Sequence, residues 1–151
     1  MKYSPLHLVW TDELKTRAED ELRRLIEARM EHTLKAIEDT LQRILEKHEI
    51  RLEDLKKTIQ SLEKSFSLLS QKWSLEILYT LFLRKNMGFS GLKKILGVNS
   101  RTLSDKLKIL KQFGYIERMI EQGPPLRVTY SLTAKGRNTV LLALPLLYYS
   151  A

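Results

Sequence analysis

The fold is decided by residues 90–132, which read SGLKKILGVNSRTLSDKLKILKQFGYIERMIEQGPPLRVTYSL. Ser90 is suited to cap a short helix, GLKKIL, that stops at Gly97. After the turn at 97–99, Ser100 is suited to cap a second helix, which Gly114 ends. Two short helices joined by a turn of about three to four residues containing glycine form the helix-turn-helix pattern.

Two strand-forming segments follow the second helix. Tyr115–Ile120 and Leu126–Leu132 are each rich in β-favouring residues, and the Gly-Pro-Pro turn at 121–125 separates them. The apolar segment 74–85 is the expected core helix, broken by the residues at 86–88. We therefore predict a mainly α fold with a small β-hairpin, in which residues 67–151 form a winged helix-turn-helix domain.

A last helix is expected after Thr133, which is suited to cap it, and Pro145 should kink or end that helix. Its end, VLLALPLLYYSA (140–151), is almost wholly apolar. Since such a surface is costly to leave in water, we expect it to pack on the N-terminal half or across a dimer interface.

The N-terminal half is predicted to be one long coiled-coil-like helix, because residues 11–66 contain neither glycine nor proline. Apolar residues recur there at steps of three and four, through His48, which is the spacing of a helix–helix seam. A stripe of this kind needs a partner, so we expect residues 1–66 to form a homodimeric coiled coil or bundle. The alternative is that residues 1–66 fold back on the second half of the same chain. For a dimer, the sequence leaves open whether the two helices pair parallel or antiparallel. The predicted dimerisation residues are Leu34, Ile37, Leu41, Leu45, Leu52, Leu55, Ile59 and Leu62.

The charge is concentrated in one half of the chain. Of 26 Lys+Arg and 18 Asp+Glu, which give a formal net charge of +8, residues 1–66 hold a net −1 and residues 67–151 a net +9. This asymmetry indicates an anionic partner for the second half. The absence of cysteine excludes disulfides, thiolate zinc sites and thiol chemistry. No apolar run approaches the roughly 20 residues that a membrane span needs, and the N-terminus lacks the cleavage pattern of a secretory signal.

Four motifs in a fixed order carry a family resemblance: KWSLEIL (72–78), FSGLKKIL (89–96), SRTLSDKLKILKQFGYIER (100–118) and PPLRVTYSLTAKG (124–136). Over residues 69–137 the chain resembles the HxlR-type winged-helix transcription regulators, relatives of the MarR group. The resemblance implies a dimeric regulator that places one recognition helix per subunit in a major groove of double-stranded DNA. The chain departs from the family in its long N-terminal extension and in lacking the cysteine that often precedes the Lys72-Trp73 pair.

The second helix of the motif has one face suited to DNA. At 100° per residue, Leu103, Leu107 and Leu110 share the inward face. Arg101 is the candidate for a guanine contact, and Asp105 is expected to orient it or to accept from a cytosine amine. Thr102 and Ser104 suit contacts with bases, and Lys108 and Lys111 suit contacts with phosphates. The predicted contact residues of this helix are Ser100, Arg101, Thr102, Ser104, Asp105, Lys108, Lys111 and Gln112.

Other basic residues extend this expected interface. Arg127, just past the Pro-Pro turn, is expected to enter a minor groove from the wing. Predicted phosphate contacts are Ser90, Lys93, Lys94, Lys135 and Arg137.

We therefore expect a sequence-specific, homodimeric transcription regulator in the cytoplasm, associated with the nucleoid. A DNA-architectural protein with little sequence preference and a coiled-coil interaction scaffold are the alternatives. We find no nucleophile–base set, metal-ligand spacing or phosphate-binding loop, so we expect no enzyme activity, cofactor or metal. The sequence leaves a small-molecule effector open without indicating one.

Overall fold

The computed structural model describes residues 12–150, with side chains described over 16–51 and 53–146. Within these residues the chain forms helices α1 Asp12–Lys47, α2 Leu52–Leu69, α3 Ser74–Arg84, α4 Phe89–Leu96, α5 Ser100–Gln112 and α6 Ala134–Ser150, and strands β1 Asn86–Gly88, β2 Ile116–Glu121 and β3 Arg127–Leu132. The predicted class, mainly α with a small antiparallel β element, is confirmed. The described chain divides into two compact units, one of residues 69–144 and the other of residues 12–68 and 145–150.

The predicted long N-terminal helix is interrupted. The prediction of one continuous helix over residues 11–66 is wrong at residues 48–51, which separate α1 from α2. The expected seam therefore does not run unbroken through His48. Residues 1–11 of the predicted segment lie outside the described residues.

Charges on either side of the interruption favour the end of one helix and the start of the next. Lys47 lies in the last turn of α1, whereas Glu53 and Asp54 lie in the first turn of α2. A basic residue at a helix C-terminus and acidic residues at a helix N-terminus both interact favourably with the helix macrodipole. This order of charges therefore favours the end of α1 followed by the start of α2. The Arg51 carbonyl accepts the Asp54 amide at 3.0 Å and opens the new helix.

The core of the unit 69–144 is built from the inward faces of α3, α4 and α5 together with the start of β2. Each of these helices presents apolar residues at helical spacing, and burying one such side chain contributes about 1.5–3 kcal/mol. The side chains that are at most 2% exposed include Ile77, Leu78, Leu81, Leu92, Leu103, Leu107, Leu110, Ile116 and Val140.

The sheet has one strand more than the sequence predicted. β2 and β3 form the expected antiparallel hairpin, in which Ile120 lies opposite Val128. β1 pairs antiparallel with the other edge of β3, with Met87 opposite Tyr130, so the strand order is β1-β3-β2. The segment that breaks the core helix thus becomes a strand, and it anchors the wing from its second edge.

Helix α6 begins where the sequence predicted and continues past Pro145. The Thr133 hydroxyl oxygen accepts the Gly136 amide at 3.0 Å, which confirms Thr133 as the cap. Pro145 lies inside the helix and does not end it. Leu141, Leu142 and Leu146 are exposed, and the packing of the apolar tail stays a prediction. Among the described helices, none combines the length and apolarity needed to cross a membrane.

Candidate nucleic-acid interface

Helix α5 presents one apolar and one polar face. Leu103, Leu107 and Leu110 are 0–2% exposed and anchor the helix in the core. The opposite face carries the predicted contact residues, of which Thr102 is half-buried and the others are exposed: Ser100, Arg101, Ser104, Asp105, Lys108, Lys111 and Gln112. The predicted orientation of the helix is therefore observed, whereas the contacts of these residues with DNA stay a prediction.

The N-terminus of α5 is capped by a residue that the sequence prediction missed. The Asn99 side-chain oxygen accepts the Thr102 amide at 2.8 Å, and the Asn99 backbone is extended. Ser100 is the first residue of the helix, so its prediction as the cap is wrong. The shift matters because the amides of Ser100 and Arg101, in the first turn, have no intrahelical acceptor and can donate to an anion.

The C-terminus of α5 closes at the predicted glycine. Gly114 has φ +76°, a conformation that glycine adopts without a steric penalty. Its amide donates to the Lys111 carbonyl at 3.0 Å, and the Tyr115 amide donates to the Leu110 carbonyl at 2.9 Å. This is the hydrogen-bond pair of a Schellman motif, and it turns the chain directly from α5 into β2.

Asp105 does not orient Arg101 in the structure. Among the described residues, the one ion pair closer than 4.0 Å joins Arg23 to Glu27 on α1, at 3.4 Å, and Arg101 and Asp105 do not form one. The Arg101 guanidinium is therefore not engaged by the carboxylate one turn away. It is exposed in the first turn of α5, where a long side chain can extend towards a ligand.

Helix α4 starts earlier than predicted. Gly88 precedes its first residue and has no side chain to cap the helix; its backbone is extended, with ψ 166°, where the chain enters the helix from β1. Ser90 is the second residue of α4, so its prediction as a cap is wrong. Ser90, Lys93 and Lys94 are all exposed, and the helix ends as predicted at Gly97, with φ +63°.

The wing projects one of its basic residues near the tip. Arg127 is exposed and begins β3, with its Cα paired to that of Glu121 on β2. The neighbouring Leu126 is 71% exposed. The wing therefore combines a cation and an apolar side chain next to its turn.

Two of the residues predicted to contact phosphate, Lys135 and Arg137, have intramolecular partners in the structure, and their contacts with phosphate stay a prediction. The Lys135 ammonium donates to the Phe113 carbonyl at 2.8 Å and lies 4.5 Å from the centre of the Tyr115 ring. The Arg137 guanidinium carbon lies 5.3 Å from the centre of the Phe82 ring. Sequence reasoning could not find these contacts, because they join segments that are distant along the chain and adjacent only in the fold.

The predicted dimerisation residues are uncovered in the single chain. All of those with described side chains are 43–53% exposed, namely Leu34, Ile37, Leu41, Leu45, Leu55, Ile59 and Leu62. The side chain of Leu52 lies outside the description. Phe66, at 58%, continues the stripe on α2. Among the described side chains, each N-terminal helix therefore carries an exposed apolar stripe.

Comparison with known proteins confirms the resemblance seen in the motifs. The HxlR-like helix-turn-helix family profile matches residues 68–146, more than half of the chain. The chain is similar to the uncharacterized HTH-type transcriptional regulator YdzF of Bacillus subtilis (strain 168), with 38% identity over 77 residues that cover 50% of this chain and 71% of that protein.

Solved structures share the fold. The reduced form of the transcriptional regulator YodB from B. subtilis superposes with a TM-score of 0.56 and 25% identity, covering 60% of this chain and 88% of that one. A MarR-family transcriptional regulator from Enterococcus faecalis V583 gives a TM-score of 0.53 and 28% identity, covering 60% and 81%. These relatives are transcriptional regulators. Its motifs, its winged fold and the profile match together show that the chain belongs to the HxlR-like helix-turn-helix family of transcriptional regulators.

Proposed function

We propose that this regulator binds double-stranded DNA sequence-specifically as a homodimer, with α5 in the major groove and the β2–β3 wing in the adjacent minor groove. The observation that carries the proposal is the polar face of α5. This helix is held in the core by three leucines and directs an arginine, hydroxyls, an amide and lysines outward. These are the groups that hydrogen-bond base edges and phosphates.

The first turn of α5 is the best placed for reading bases. In helix-turn-helix proteins the N-terminal residues of the second helix contact base edges. Arg101 lies in that turn, exposed and without an ion pair in the described structure, so its guanidinium is available for a bidentate contact with guanine. Lys108 and Lys111 lie further along the exposed face, where we expect phosphate contacts.

The wing and α4 are expected to hold the backbone on either side. Arg127 next to the wing tip suits a narrow minor groove, whose negative potential attracts arginine. Ser90 lies in the first turn of α4, whose free amides suit a phosphate, and Lys93 and Lys94 add charge on the same helix. The net +9 of residues 67–151 supports this assignment of the anionic partner to the second half of the chain.

The exposed stripes on α1 and α2 support self-association. Apolar side chains at steps of three and four are typical of helices that pack against helices, and residues 1–66 are balanced in charge, at −1. A second copy of the same segment would cover them. Whether the helices pair parallel or antiparallel sets the distance between the two recognition helices. A regulator of this kind would act on the chromosome, so we expect it in the cytoplasm at the nucleoid.

The proposal is tested by selecting a duplex from a random double-stranded library with the full chain, and then measuring affinity by fluorescence anisotropy. Arg101→Ala should weaken binding to the selected duplex by about 1–3 kcal/mol, a factor of about 5 to 150, and should relax preference at one base position. Arg24→Ala, which removes the same charge from α1, is the matched control and should leave affinity unchanged.

Two other outcomes would favour the alternatives. Equal affinity for the selected duplex and unrelated DNA at fixed salt would indicate an architectural protein, because phosphate contacts alone carry no sequence preference. Absence of binding at moderate salt would instead indicate an interaction scaffold whose winged helix does not bind DNA.

A further inference from the structure

A compact set of contacts joins the end of α5 to the start of α6. We call it the junction clamp, and it consists of Phe113–Tyr115 on one side and Thr133–Gly136 on the other. The Thr133 hydroxyl donates to the Gly114 carbonyl at 2.6 Å, and the Thr133 amide donates to the Tyr115 carbonyl at 3.1 Å. The Lys135 ammonium reaches the Phe113 carbonyl at 2.8 Å.

The Phe113 carbonyl belongs to the C-cap residue of α5, whereas the Gly114 and Tyr115 carbonyls lie just beyond the helix. The last carbonyls of a helix carry partial negative charge, so a cation there is favourable and its hydrogen bond is charge-assisted. Lys135 supplies that cation, and the Tyr115 ring, 4.5 Å from the ammonium, adds a cation–π contact. The side chain that sequence reasoning assigned to a phosphate therefore already has two partners in the protein.

The backbones of the two segments also approach closely. A Cβ placed on Gly136 would lie 2.0 Å from the Tyr115 carbonyl oxygen, a distance that no real Cβ contact shows. Only a residue without a side chain allows α6 to begin this near to the end of α5.

The clamp lies where the proposed base-reading and groove-inserting elements separate. Tyr115 links α5 directly to β2, and Thr133 links β3 directly to α6. Holding these two residues together fixes where the recognition helix ends relative to both strands of the wing. The angle between α5 and the wing decides whether both can enter adjacent grooves of one duplex.

We propose that Lys135 is a positioning residue, which fixes α5 relative to the wing and does not contact phosphate. This inference rests on the proposed DNA-binding function. It predicts that Lys135 acts on sequence discrimination, because discrimination needs the base-reading helix and the wing in register, whereas non-specific binding needs only charge.

The test compares Lys135→Met, which keeps an unbranched apolar stem, with Lys135→Arg, which keeps a charged donor. Two further variants are matched controls: Lys108→Met removes a predicted phosphate contact, and Lys56→Met removes a charge from α2. Affinities for the selected duplex and for a scrambled duplex are measured by anisotropy between 50 and 200 mM salt, a range over which phosphate contacts strongly affect affinity (about tenfold or more for several contacts).

We expect Lys135→Met to lower affinity for the selected duplex about tenfold, to lower affinity for the scrambled duplex much less, and to leave the salt slope unchanged. Lys135→Arg should restore discrimination. Lys108→Met should instead reduce the salt slope by about 1.8, which is about 0.9 for each of the two copies in the proposed dimer, and weaken both duplexes alike. Lys56→Met should change neither quantity. Amide hydrogen exchange at Tyr115, measured without DNA, should be faster in Lys135→Met.

Three results would overturn the inference. A salt slope reduced by about 1.8 in Lys135→Met, about 0.9 for each copy in the proposed dimer, would make Lys135 a phosphate contact. An unchanged ratio of selected to scrambled affinity, with a lower Tm, would make its role purely structural. Unchanged exchange at Tyr115 in Lys135→Met would show that Lys135 does not hold that residue in place. These results differ from failure of the proposed function, in which the unmodified protein itself binds neither duplex.

Discussion

Replacing Gly136 by alanine tests the close approach of α6 to the end of α5. The added Cβ would lie 2.0 Å from the Tyr115 carbonyl oxygen and 3.2 Å from a methyl carbon of Leu132. Gly136 lies in the first turn of α6 without a positive φ, so alanine is not disfavoured by its backbone conformation. The expected effect is therefore steric, and the atom in the way belongs to the backbone and cannot rotate aside.

The magnitude follows from what must move. Relieving such an overlap in a packed site costs about 1–3 kcal/mol. The Tyr115 carbonyl also accepts the Thr133 amide at 3.1 Å, and displacing it loses a hydrogen bond worth about 1 kcal/mol. Alanine in a helix returns at most about 1 kcal/mol relative to glycine. We expect Gly136→Ala to lower the free energy of unfolding by about 1–3 kcal/mol, and Tm by about 2–12 °C.

Urea unfolding of the full chain measures this change. Fluorescence of Trp73, in a Trp10→Phe background, reports on the unit that contains the clamp. Gly123→Ala is the matched control, because a Cβ there meets no atom within 4 Å. It should change stability by no more than about 0.5–1 kcal/mol, in the stabilising direction if at all. If the two variants unfold at the same urea concentration, the steric reasoning for the clamp is refuted.

Two further predictions concern the cap of α5 and the stripe on α2. Asn99→Ala removes the acceptor of the Thr102 amide and should lower the free energy of unfolding in urea by about 0.5–2 kcal/mol. Ser100→Ala should lower it by less than about 0.5 kcal/mol. The reverse order of the two effects would identify Ser100 as the cap. Ile59→Asp places a charge on the exposed stripe and should shift the protein from the proposed dimer to a monomer in sedimentation velocity, because an unpaired buried carboxylate opposes association. Ser61→Asp, which adds the same charge off the stripe, should leave the dimer intact.

The parts of the fold that depend on local periodicity could be predicted from the sequence. The inward leucines and outward polar face of α5 follow from the helical repeat alone, and so does its end at Gly114. The hairpin follows from strand-forming residues on either side of a turn that contains Gly123.

The sequence prediction was wrong where two local preferences of similar strength compete. Asparagine and serine cap helices almost equally well, so the adjacent pair Asn99-Ser100 does not by itself show where α5 begins. At residues 48–51 the lack of glycine and proline favoured a continuous helix, whereas the charges around it favoured an end and a new start. Helix propensity and the charge–macrodipole interaction each contribute a few tenths to about one kcal/mol of helix stability there, so neither alone decides whether the helix continues.

Features that depend on distant segments could not be predicted. β1 contains Asn86 and Gly88, which are poor strand formers, and it is a strand because β3 offers it an open edge. The contact of Lys135 with Phe113 depends on α6 beginning beside the end of α5. Both require the tertiary fold before the local structure can be explained.

The strand order β1-β3-β2 leaves the wing strand β2 at an edge of the sheet. An edge strand exposes unpaired backbone groups, to which a strand from another molecule can add. Along β2, Glu117, Arg118 and Glu121 are exposed, and charged side chains of this kind disfavour such addition. The wing is thereby protected against aggregation through its backbone, while the helical stripes on α1 and α2 carry no such protection. The proposed association of two copies is therefore expected at the helices and not at the sheet.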